Sequence, residues 1–266
     1  MISFKSVRKS FAGIPLLKNI SFELKQGEKV SLLGPGACGK STILKMLLGL
    51  EKPDQGEIQL LECDMINAPE PEKQKTLRNV GMAFQQSALF DFMTVEENLN
   101  FAMENMTDFS KTKMDEKIEY LLRTVKLPRT RNMFPFELSG GMQRRIGVAR
   151  ALATEPILAI FDEPTAGLDP VTSTIILNMI NELIDLRSDK SMLVSTSSVE
   201  IAIRFADRVI IVHEGRIVGD GQWRDLLING QEWVRYFLGI RLKGIDIRYA
   251  KELHLPKEFI EANWKT

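Results

Sequence analysis

The sequence contains little cysteine and little histidine. Its 266 residues include only two cysteines, Cys38 and Cys63, and two histidines. Two cysteines so far apart exclude a scaffold built on several disulfides and a metal site with four thiolate ligands. This cysteine usage is typical of proteins in a reducing compartment, so we expect a cytoplasmic protein.

The sequence also lacks a net charge and a long apolar run. Lysine plus arginine and aspartate plus glutamate both total 35. So balanced a charge gives no overall attraction to nucleic acid, which we do not expect as a partner. Apolar runs such as residues 157–161 are far shorter than the ~20 residues of a membrane-spanning helix. Residues 1–8 lack the continuous apolar segment of a signal peptide.

Segments typical of strands and of helices alternate along the chain. Mixed apolar and polar segments at residues 2–7, 20–24 and 57–61 predict strands near the N-terminus. From about residue 94 to residue 154 the apolar spacing is helical, and strands and helices then alternate up to residue 212. We expect an α/β fold with a helix-covered parallel sheet, an antiparallel β edge from the N-terminus and an inserted α-helical subdomain at about 94–154.

A glycine-rich segment follows the predicted strand at residues 28–33. Residues 34–41 fit the P-loop pattern G-x-x-x-x-G-K-[ST] and precede a predicted helix. Glycines let backbone N–H groups turn towards phosphate oxygens, Lys40 would contact the β- and γ-phosphates, and the Ser41 hydroxyl would ligate Mg²⁺. The pattern predicts a P-loop NTPase core. The residues expected at the phosphates and the metal are Gly34, Pro35, Gly36, Ala37, Cys38, Gly39, Lys40, Ser41 and Thr42.

Two acidic residues end the apolar segment at residues 157–161. Asp162 and Glu163 would lie at the carboxyl end of a buried strand, where α/β folds bind their ligands. There Asp162 suits contact with Mg²⁺ through water, and Glu163 suits polarising an attacking water. Next to a P-loop, these roles are favoured over that of solvated acids at a strand end.

A second anion site is predicted at Ser139, Gly140 and Gly141. A serine and two glycines there begin a predicted helix, whose N-terminal N–H groups attract anions. One nucleotide does not need two such sites from one chain. We therefore expect these three residues to contact a nucleotide held by another subunit.

These motifs together resemble the ATP-binding subunits of ABC transporters. The P-loop, Gln85 after an apolar strand, the segment at Ser139, the two acids and residues 166–169 occur in the order and spacing of that family. The resemblance covers about residues 1–240. It implies hydrolysis of ATP to ADP and phosphate by a head-to-tail homodimer with two ATP molecules sandwiched between the subunits.

The resemblance also implies roles for single residues. Gln85 would contact Mg²⁺, integral membrane permease subunits would dock near residues 85–94, and Asp169 would align the two ATP sites. Phe11 matches the aromatic residue that stacks on adenine, although a core position on an N-terminal strand is the alternative. The expected location is peripheral, on the cytoplasmic side of the inner membrane.

Two further segments suggest a subfamily. Residues 84–98 and 231–239 resemble the corresponding segments of Mla/Mce-associated ATPases, which move phospholipids or other lipids across the envelope of diderm bacteria. The alternative is that Ala88, Leu89, Phe90 and Phe92 form only an apolar patch shared by many ABC importers. We expect a phospholipid as the transported substrate of this chain, moved across the envelope of a diderm bacterium.

The P-loop departs from the family pattern. Ala37 stands where the family usually has glycine, so a left-handed backbone there would cost about 1 kcal/mol or more. Gly36 next to it could restore some freedom. Cys38 lies among inward-pointing amides, where its pKa could be lowered, or it is a plain small filler.

The family's switch histidine is absent. Counting back from Asp207 places Ser197 at that position. A serine hydroxyl is shorter than an imidazole and uncharged, so Ser197 would bond the γ-phosphate weakly or through water. Ser197 and Glu200 also have the spacing of a capping box.

With Glu163, Gln85 and Ser197 as the catalytic set, an ATPase is expected. The alternative is an ATP-gated dimerising regulatory subunit with weak or no hydrolysis.

The last segment, residues 241–266, extends beyond the part that resembles the family. It carries several large apolar residues, among them Tyr249, Phe259 and Trp264. A segment of this size cannot bury them on itself. We expect it to pack on its own subunit or on the partner subunit.

Overall fold

The computed structural model describes residues 1–185, 190–206 and 208–242. The predicted C-terminal extension therefore lies outside the described residues, apart from its first two positions at the end of a helix. Within the described ranges no helix is both long and apolar enough to cross a membrane.

The described strands form two sheets. A four-stranded sheet has the order β2-β1-β4-β5, and a six-stranded sheet has the order β10-β9-β3-β8-β7-β6. The strands are β1 (Ile2–Phe11), β2 (Ile14–Leu24), β3 (Lys29–Leu33), β4 (Gln55–Leu60), β5 (Cys63–Asp64), β6 (Val80–Ala83), β7 (Leu158–Asp162), β8 (Ser191–Thr196), β9 (Arg208–His213) and β10 (Arg216–Gln222).

Helices connect and cover these strands. They are α1 (Lys40–Leu47), α2 (Glu70–Leu77), α3 (Val95–Met106), α4 (Lys111–Thr124), α5 (Gly140–Ala153), α6 (Pro170–Asp185), α7 (Val199–Phe205), α8 (Trp223–Asn229) and α9 (Glu232–Leu242). A short 3₁₀ helix, Pro135–Glu137, precedes α5.

The six-stranded sheet carries the site. Its neighbouring strands from β9 to β6 pair in parallel, and β10 joins β9 antiparallel. Every residue of β7 and β8 is buried, because helices cover both faces, as is usual for parallel strands rich in valine, leucine and isoleucine. Parallel strands end at the same edge. The segments after β3, β8, β7 and β6 therefore meet there, and these are the segments that carry the predicted motifs.

The four-stranded sheet is the predicted antiparallel edge. β1 pairs with β2 and β4 antiparallel, and Ile2 and Phe4 are buried against the core. The tight turn between β1 and β2 has Ala12 and Gly13 at φ 48° and 79°. A two-residue hairpin turn requires positive φ at both residues when its twist matches that of the strands.

The helical subdomain consists of α3, α4, the 3₁₀ helix and α5. Thr94 and Glu97 form the capping box that begins α3. Arg131 then ties the connecting segment to α3, since its Nε donates to Glu96 Oε2 at 2.8 Å. The apolar face of α4 packs inside the subdomain, with Ile118 and Leu121 fully buried.

The predicted capping box at Ser197 and Glu200 is wrong by one residue. α7 begins at Val199, and its N-cap is Ser198, whose hydroxyl accepts a hydrogen bond from Ile201 N at 3.4 Å. Ser198 has the extended backbone of an N-cap residue. Ser197 is left outside the helix, at the end of β8.

Candidate active site

The P-loop joins β3 to α1 and holds Lys40 beneath it. The buried Lys40 Nζ donates to the carbonyl oxygens of Gly34 and Pro35 at 2.9 and 3.1 Å. Gly39 is the N-cap of α1 at φ 104°, a conformation that favours glycine. A side chain at Gly34 would lie 2.2 Å from the carbonyl oxygen of Val212. The loop is therefore built to bring backbone N–H groups, a helix N-terminus and one cation together.

Ala37 takes the left-handed backbone that its family position suggested. Its φ is 61°, which costs a residue with a Cβ about 1 kcal/mol or more relative to glycine. Gly36 has no positive φ, and a Cβ built on it would meet nothing within 4 Å. The glycine at position 36 thus does not relieve the strain at position 37.

Cys38 is a buried filler. Burial raises the pKa of its thiol, and this effect outweighs the opposing influence of the Lys40 charge. The alternative of a thiolate with a lowered pKa is wrong, because burial disfavours the charged form more than Lys40 and the nearby backbone N–H groups favour it.

The two acids lie next to this loop. Asp162 Oδ1 accepts hydrogen bonds from Ser41 Oγ, at 3.2 Å, and from Ser195 Oγ. Glu163 Oε1 lies 3.5 Å from Lys40 Nζ. Glu163 itself has φ 47°, and strained backbones of this kind occur at functional sites.

Ser41 and Asp162 fit a magnesium ion. A hydroxyl from α1 and a carboxylate from β7 share one hydrogen bond, so their oxygens lie side by side. Mg²⁺ prefers hard oxygen ligands and is commonly held by one or two protein side chains together with substrate phosphates. The predicted metal-binding role of these two residues is therefore chemically consistent with their placement.

Ser197 contacts the predicted general base. Its Oγ lies 3.5 Å from Glu163 Oε2, a long hydrogen bond by ordinary standards. Register explains the contact: β8 lies between β3 and β7, so the residue after β8 lies between the P-loop and the acids.

One cleft brings most of the predicted residues together. It has a volume of about 540 Å³ and lies at the carboxyl ends of the parallel strands. Gln85, exposed in the segment after β6, is part of its wall. Its predicted lining residues are Gly36, Ala37, Gly39, Lys40, Ser41, Thr42, Gln85, Glu163 and Ser197. We call this the active-site cleft.

Two residues of the active-site cleft were missed as site residues. Leu16 lies on β2, and Ala166 follows the acids by three positions. Leu16 belongs to an ordinary strand pattern, so no signal in the sequence could have marked it. Ala166 is part of the segment at residues 166–169 and could have been included from that motif.

Phe11 does not line the active-site cleft. It ends β1 with 46% of its surface exposed, and Lys9 Nζ lies 4.9 Å from its ring centre. The alternative of a core position is therefore wrong. Stacking on adenine stays a prediction.

Ser139, Gly140 and Gly141 lie outside the active-site cleft of their own chain. Ser139 is the N-cap of α5, and its hydroxyl accepts a hydrogen bond from Met142 N at 3.3 Å. A Cβ on Gly140 would meet nothing within 4 Å. This helix start is therefore open to a ligand that the chain's own P-loop does not hold.

Asp169 is placed close to this helix start. Its Oδ1 accepts a hydrogen bond from Thr172 N at 2.9 Å, and this bonding lowers the pKa of the carboxyl. A Cβ on Gly141 would lie 3.1 Å from Thr172 Cγ2. The beginnings of α5 and α6 thus form one surface.

Arg144 connects α5 with the acids and was missed by sequence reasoning. Its Nη1 donates to the carbonyl oxygens of Glu163 and Ala166 at 3.2 and 2.8 Å. Arginine on the polar side of a predicted helix is typical of an exposed face, so the sequence held no signal for this contact.

A model of the family described as ABC transporter matches residues 17–166, more than half of the chain. The chain belongs to the ABC transporter family. The geometry agrees with the match, which spans the P-loop, the helical subdomain and both acids.

Similar proteins extend the match over nearly the whole chain. The arginine transport ATP-binding protein ArtM of Bacillus subtilis (strain 168) is 39% identical over 86% of this chain and 94% of its own length. The protein TRIGALACTOSYLDIACYLGLYCEROL 3, chloroplastic, of Arabidopsis thaliana is 35% identical over 94% of this chain and 76% of its own length. Other relatives are named for glutamate/aspartate, glutamine or methionine transport.

Solved structures agree with the fold. A dimeric structure of the ATP-binding cassette MJ0796, in a post-hydrolysis state bound to ADP and Pi, has a TM-score of 0.74 and 30% identity. The match covers 84% of this chain and 98% of that one. The predicted P-loop core with its parallel sheet and antiparallel β subdomain is confirmed.

These findings define the chain as the ATP-binding subunit of an ABC transporter. It is an ATPase that uses ATP with Mg²⁺. The dimeric cassette and the transporter names of the relatives support a homodimer that works with membrane permease subunits. The expected phospholipid substrate is not confirmed, because most of the relatives named above are amino-acid transport proteins.

Proposed function

We propose that two copies of this chain associate head to tail, each closing the active-site cleft of the other over one ATP. The observation that carries the proposal is the division of the anion-binding groups. Lys40, Ser41 and Glu163 line the cleft, whereas the helix start at Ser139 lies outside it in the same chain. A partner's Ser139, Gly140 and Gly141 would complete the site.

The residues of the cleft divide the chemistry of ATP hydrolysis among them. Lys40 and the P-loop N–H groups bind the phosphates. Ser41, Asp162 and Gln85 hold Mg²⁺, which when bound neutralises charge on the phosphate oxygens. Glu163 accepts a hydrogen bond from the attacking water and orients it. We assign these roles to residues 1–240 as one ATP-binding domain, with its helical subdomain at about 94–154.

One observation favours the second candidate, a dimerising regulatory subunit with weak hydrolysis. Ser197 stands where an imidazole is expected, and its hydroxyl is 3.5 Å from Glu163 Oε2. It supplies no positive charge for the γ-phosphate. We infer slow basal turnover rather than none, because Glu163, Asp162 and Lys40 are all in place.

The permease docks beside Gln85 in this proposal. An apolar groove of about 440 Å³ lies there, lined in part by Phe84, Ala88, Phe90 and Phe101. Phe92 next to it has 75% of its surface exposed. Exposed apolar residues in one place mark interaction surfaces. The cassette would then lie on the cytoplasmic side of the inner membrane, where its permease holds it.

A lipid is the proposed transported substrate. Residues 84–98 and 231–239 support it through their resemblance to lipid-transport ATPases, and the Arabidopsis relative bears the name of a galactolipid. A polar amino acid is the second candidate, because relatives of similar identity are named for arginine or glutamate/aspartate transport.

The sandwich is tested with the variant Glu163→Gln. It should bind ATP with Mg²⁺, lose turnover and accumulate as a dimer in light scattering. Adding Ser139→Arg should abolish this dimer, because the bulky cation blocks contact with the partner's nucleotide. A dimer that survives Ser139→Arg, or a Glu163→Gln protein that stays monomeric with its permease present, would refute the arrangement.

The substrate is tested on the purified transporter with its permease. Its ATPase rate is measured in vesicles of phosphatidylethanolamine and phosphatidylglycerol, and separately with arginine, glutamate and glutamine added to detergent-solubilised complex. Stimulation that depends on the phospholipid, with movement of labelled lipid between vesicle populations, supports the lipid. Stimulation by one amino acid without lipid movement supports the second candidate.

A further inference from the structure

Ser195 is a buried hydroxyl in an apolar strand. It lies on β8 between Val194 and Thr196, and its side chain is fully buried. A hydroxyl placed there is costly unless it has a hydrogen-bond partner. The register of the sheet sets Ser195 directly opposite Leu32 on β3 and Asp162 on β7.

Two hydrogen bonds tie Ser195 to both acids of the cleft. Its Oγ donates to Asp162 Oδ1, and its carbonyl oxygen accepts from Glu163 N at 2.9 Å. The first bond is to a charged acceptor and is therefore stronger than one between neutral groups. The second fixes the backbone of Glu163 at its positive φ of 47°.

Asp162 Oδ1 is held from two elements. Ser41 donates to it from α1, and Ser195 donates to it from β8. Two donors on one oxygen restrict rotation of the carboxylate. Without the Ser195 hydroxyl, Ser41 would have to serve both as a metal ligand and as the only hydrogen-bond donor that holds Asp162. Partners of metal-binding groups commonly set the orientation of those groups.

We propose that the Ser195 hydroxyl is a positioning group that orients Asp162 for Mg²⁺. Ser195 does not touch the nucleotide in this proposal and acts only through Asp162. The Mg²⁺-dependent part of ATP binding is then sensitive to the hydroxyl. Binding of ATP without metal, which depends on Lys40 and the P-loop N–H groups, is not. The inference uses the established pairing of ATP with Mg²⁺ and does not depend on the head-to-tail sandwich.

The test compares Ser195→Ala with Ser31→Ala. Ser31 is equally buried, on the neighbouring strand β3. Its Oγ donates to the carbonyl oxygen of Ala202 at 2.9 Å and not to either acid. Binding of a fluorescent ATP analogue is titrated with Mg²⁺, and its affinity is measured again in EDTA. Thermal melting checks that each variant is folded.

The Mg²⁺ concentration for half-maximal enhancement of binding should rise about 10- to 100-fold in Ser195→Ala, the usual cost of losing such a partner. Affinity in EDTA should match that of the wild type, and Ser31→Ala should match it in both conditions. A Ser195→Ala protein with unchanged Mg²⁺ dependence, or with an equal loss in EDTA, overturns the proposal.

Ser195→Thr keeps the hydroxyl and tests the proposal even if the Ser195→Ala protein does not fold. β-branched residues suit a buried strand, and the Thr variant should retain the wild-type Mg²⁺ dependence. A folded Ser195→Thr protein that requires as much Mg²⁺ as Ser195→Ala would also overturn the proposal.

Discussion

Lys40 and Glu163 face each other in the active-site cleft, with Nζ of the lysine 3.5 Å from Oε1 of the glutamate. The same ammonium donates to the carbonyl oxygens of Gly34 and Pro35. One buried cation therefore contacts both the P-loop and Glu163, the proposed general base. Its loss affects both.

Lys40→Ala should lower the affinity for ATP with Mg²⁺ by about 10- to 100-fold, the effect of losing a hydrogen bond to a charged group. Titration with a fluorescent ATP analogue measures it. Lys45→Ala, on the exposed side of the same helix, is the matched control and should bind as the wild type does. Equal affinities of the two variants would contradict the role of Lys40.

Ser197→His should raise the turnover of ATP by about 10-fold or more, since a positioned proton donor or acceptor contributes at least that much. A cavity of about 370 Å³ beside Ser197, lined in part by Thr165 and Thr174, has room for the imidazole. Phosphate release at saturating ATP is the measurement.

Ser198→Ala is the control for that substitution. It removes the N-cap of α7 and should cost about 1 kcal/mol of stability without changing turnover. Unchanged turnover in a folded Ser197→His protein would contradict the inference that Ser197 slows hydrolysis.

Ala37→Gly should stabilise the protein by about 0.5–1 kcal/mol, because glycine adopts the φ of 61° without strain. For a chain of this size that corresponds to a melting temperature about 2 °C higher. Gly36→Ala, where a Cβ meets nothing within 4 Å, should leave the melting temperature nearly unchanged. A lower melting temperature of the Ala37→Gly protein would show that the left-handed backbone at Ala37 is not strained.

The alkylation rate of Cys38 should depend on pH in a way that reflects its raised pKa. Since burial lifts the pKa above its ordinary value of 9.0, the thiol is neutral at pH 7. Its reaction with iodoacetamide should therefore still become faster with rising pH at pH 9, where the rate of an ordinary thiol is already levelling off. Mass spectrometry of a Cys63→Ser variant isolates the signal of Cys38. The same protein unfolded in urea should react faster at pH 8, and rapid labelling of the folded protein at pH 7 would contradict the shift.

Local sequence patterns located the P-loop and the two acids, which the structure brings next to each other. Residues 34–41 and the two acids are each defined by a strand followed by a few characteristic residues, and such patterns survive folding unchanged. Ser195 could not be found this way. Its partner Asp162 is 33 positions away, and only the register between β7 and β8 brings the two together.

Other features that the sequence did not predict, or predicted wrongly, also have physical explanations. α2 was not predicted, because none of its residues is buried and it carries no apolar periodicity. β10 contains Gly219 and Gly221, which weaken the pattern of a strand. At the start of α7 the adjacent serines Ser197 and Ser198 are chemically identical, so only the backbone decides which of them caps the helix.

The guanidinium of Arg144 donates to the carbonyl oxygens of Glu163 and Ala166. Arg144 lies on α5, little more than one helical turn after the N-cap Ser139. One side chain thus joins the segment that carries Glu163 to the helix that begins after Ser139. In the proposed dimer, filling one cleft would shift the base of the other, so occupancy of the two clefts is energetically coupled. The expected signature is positive cooperativity: a Hill coefficient for ATP hydrolysis above one, which falls towards one when Arg144 is replaced by glutamine.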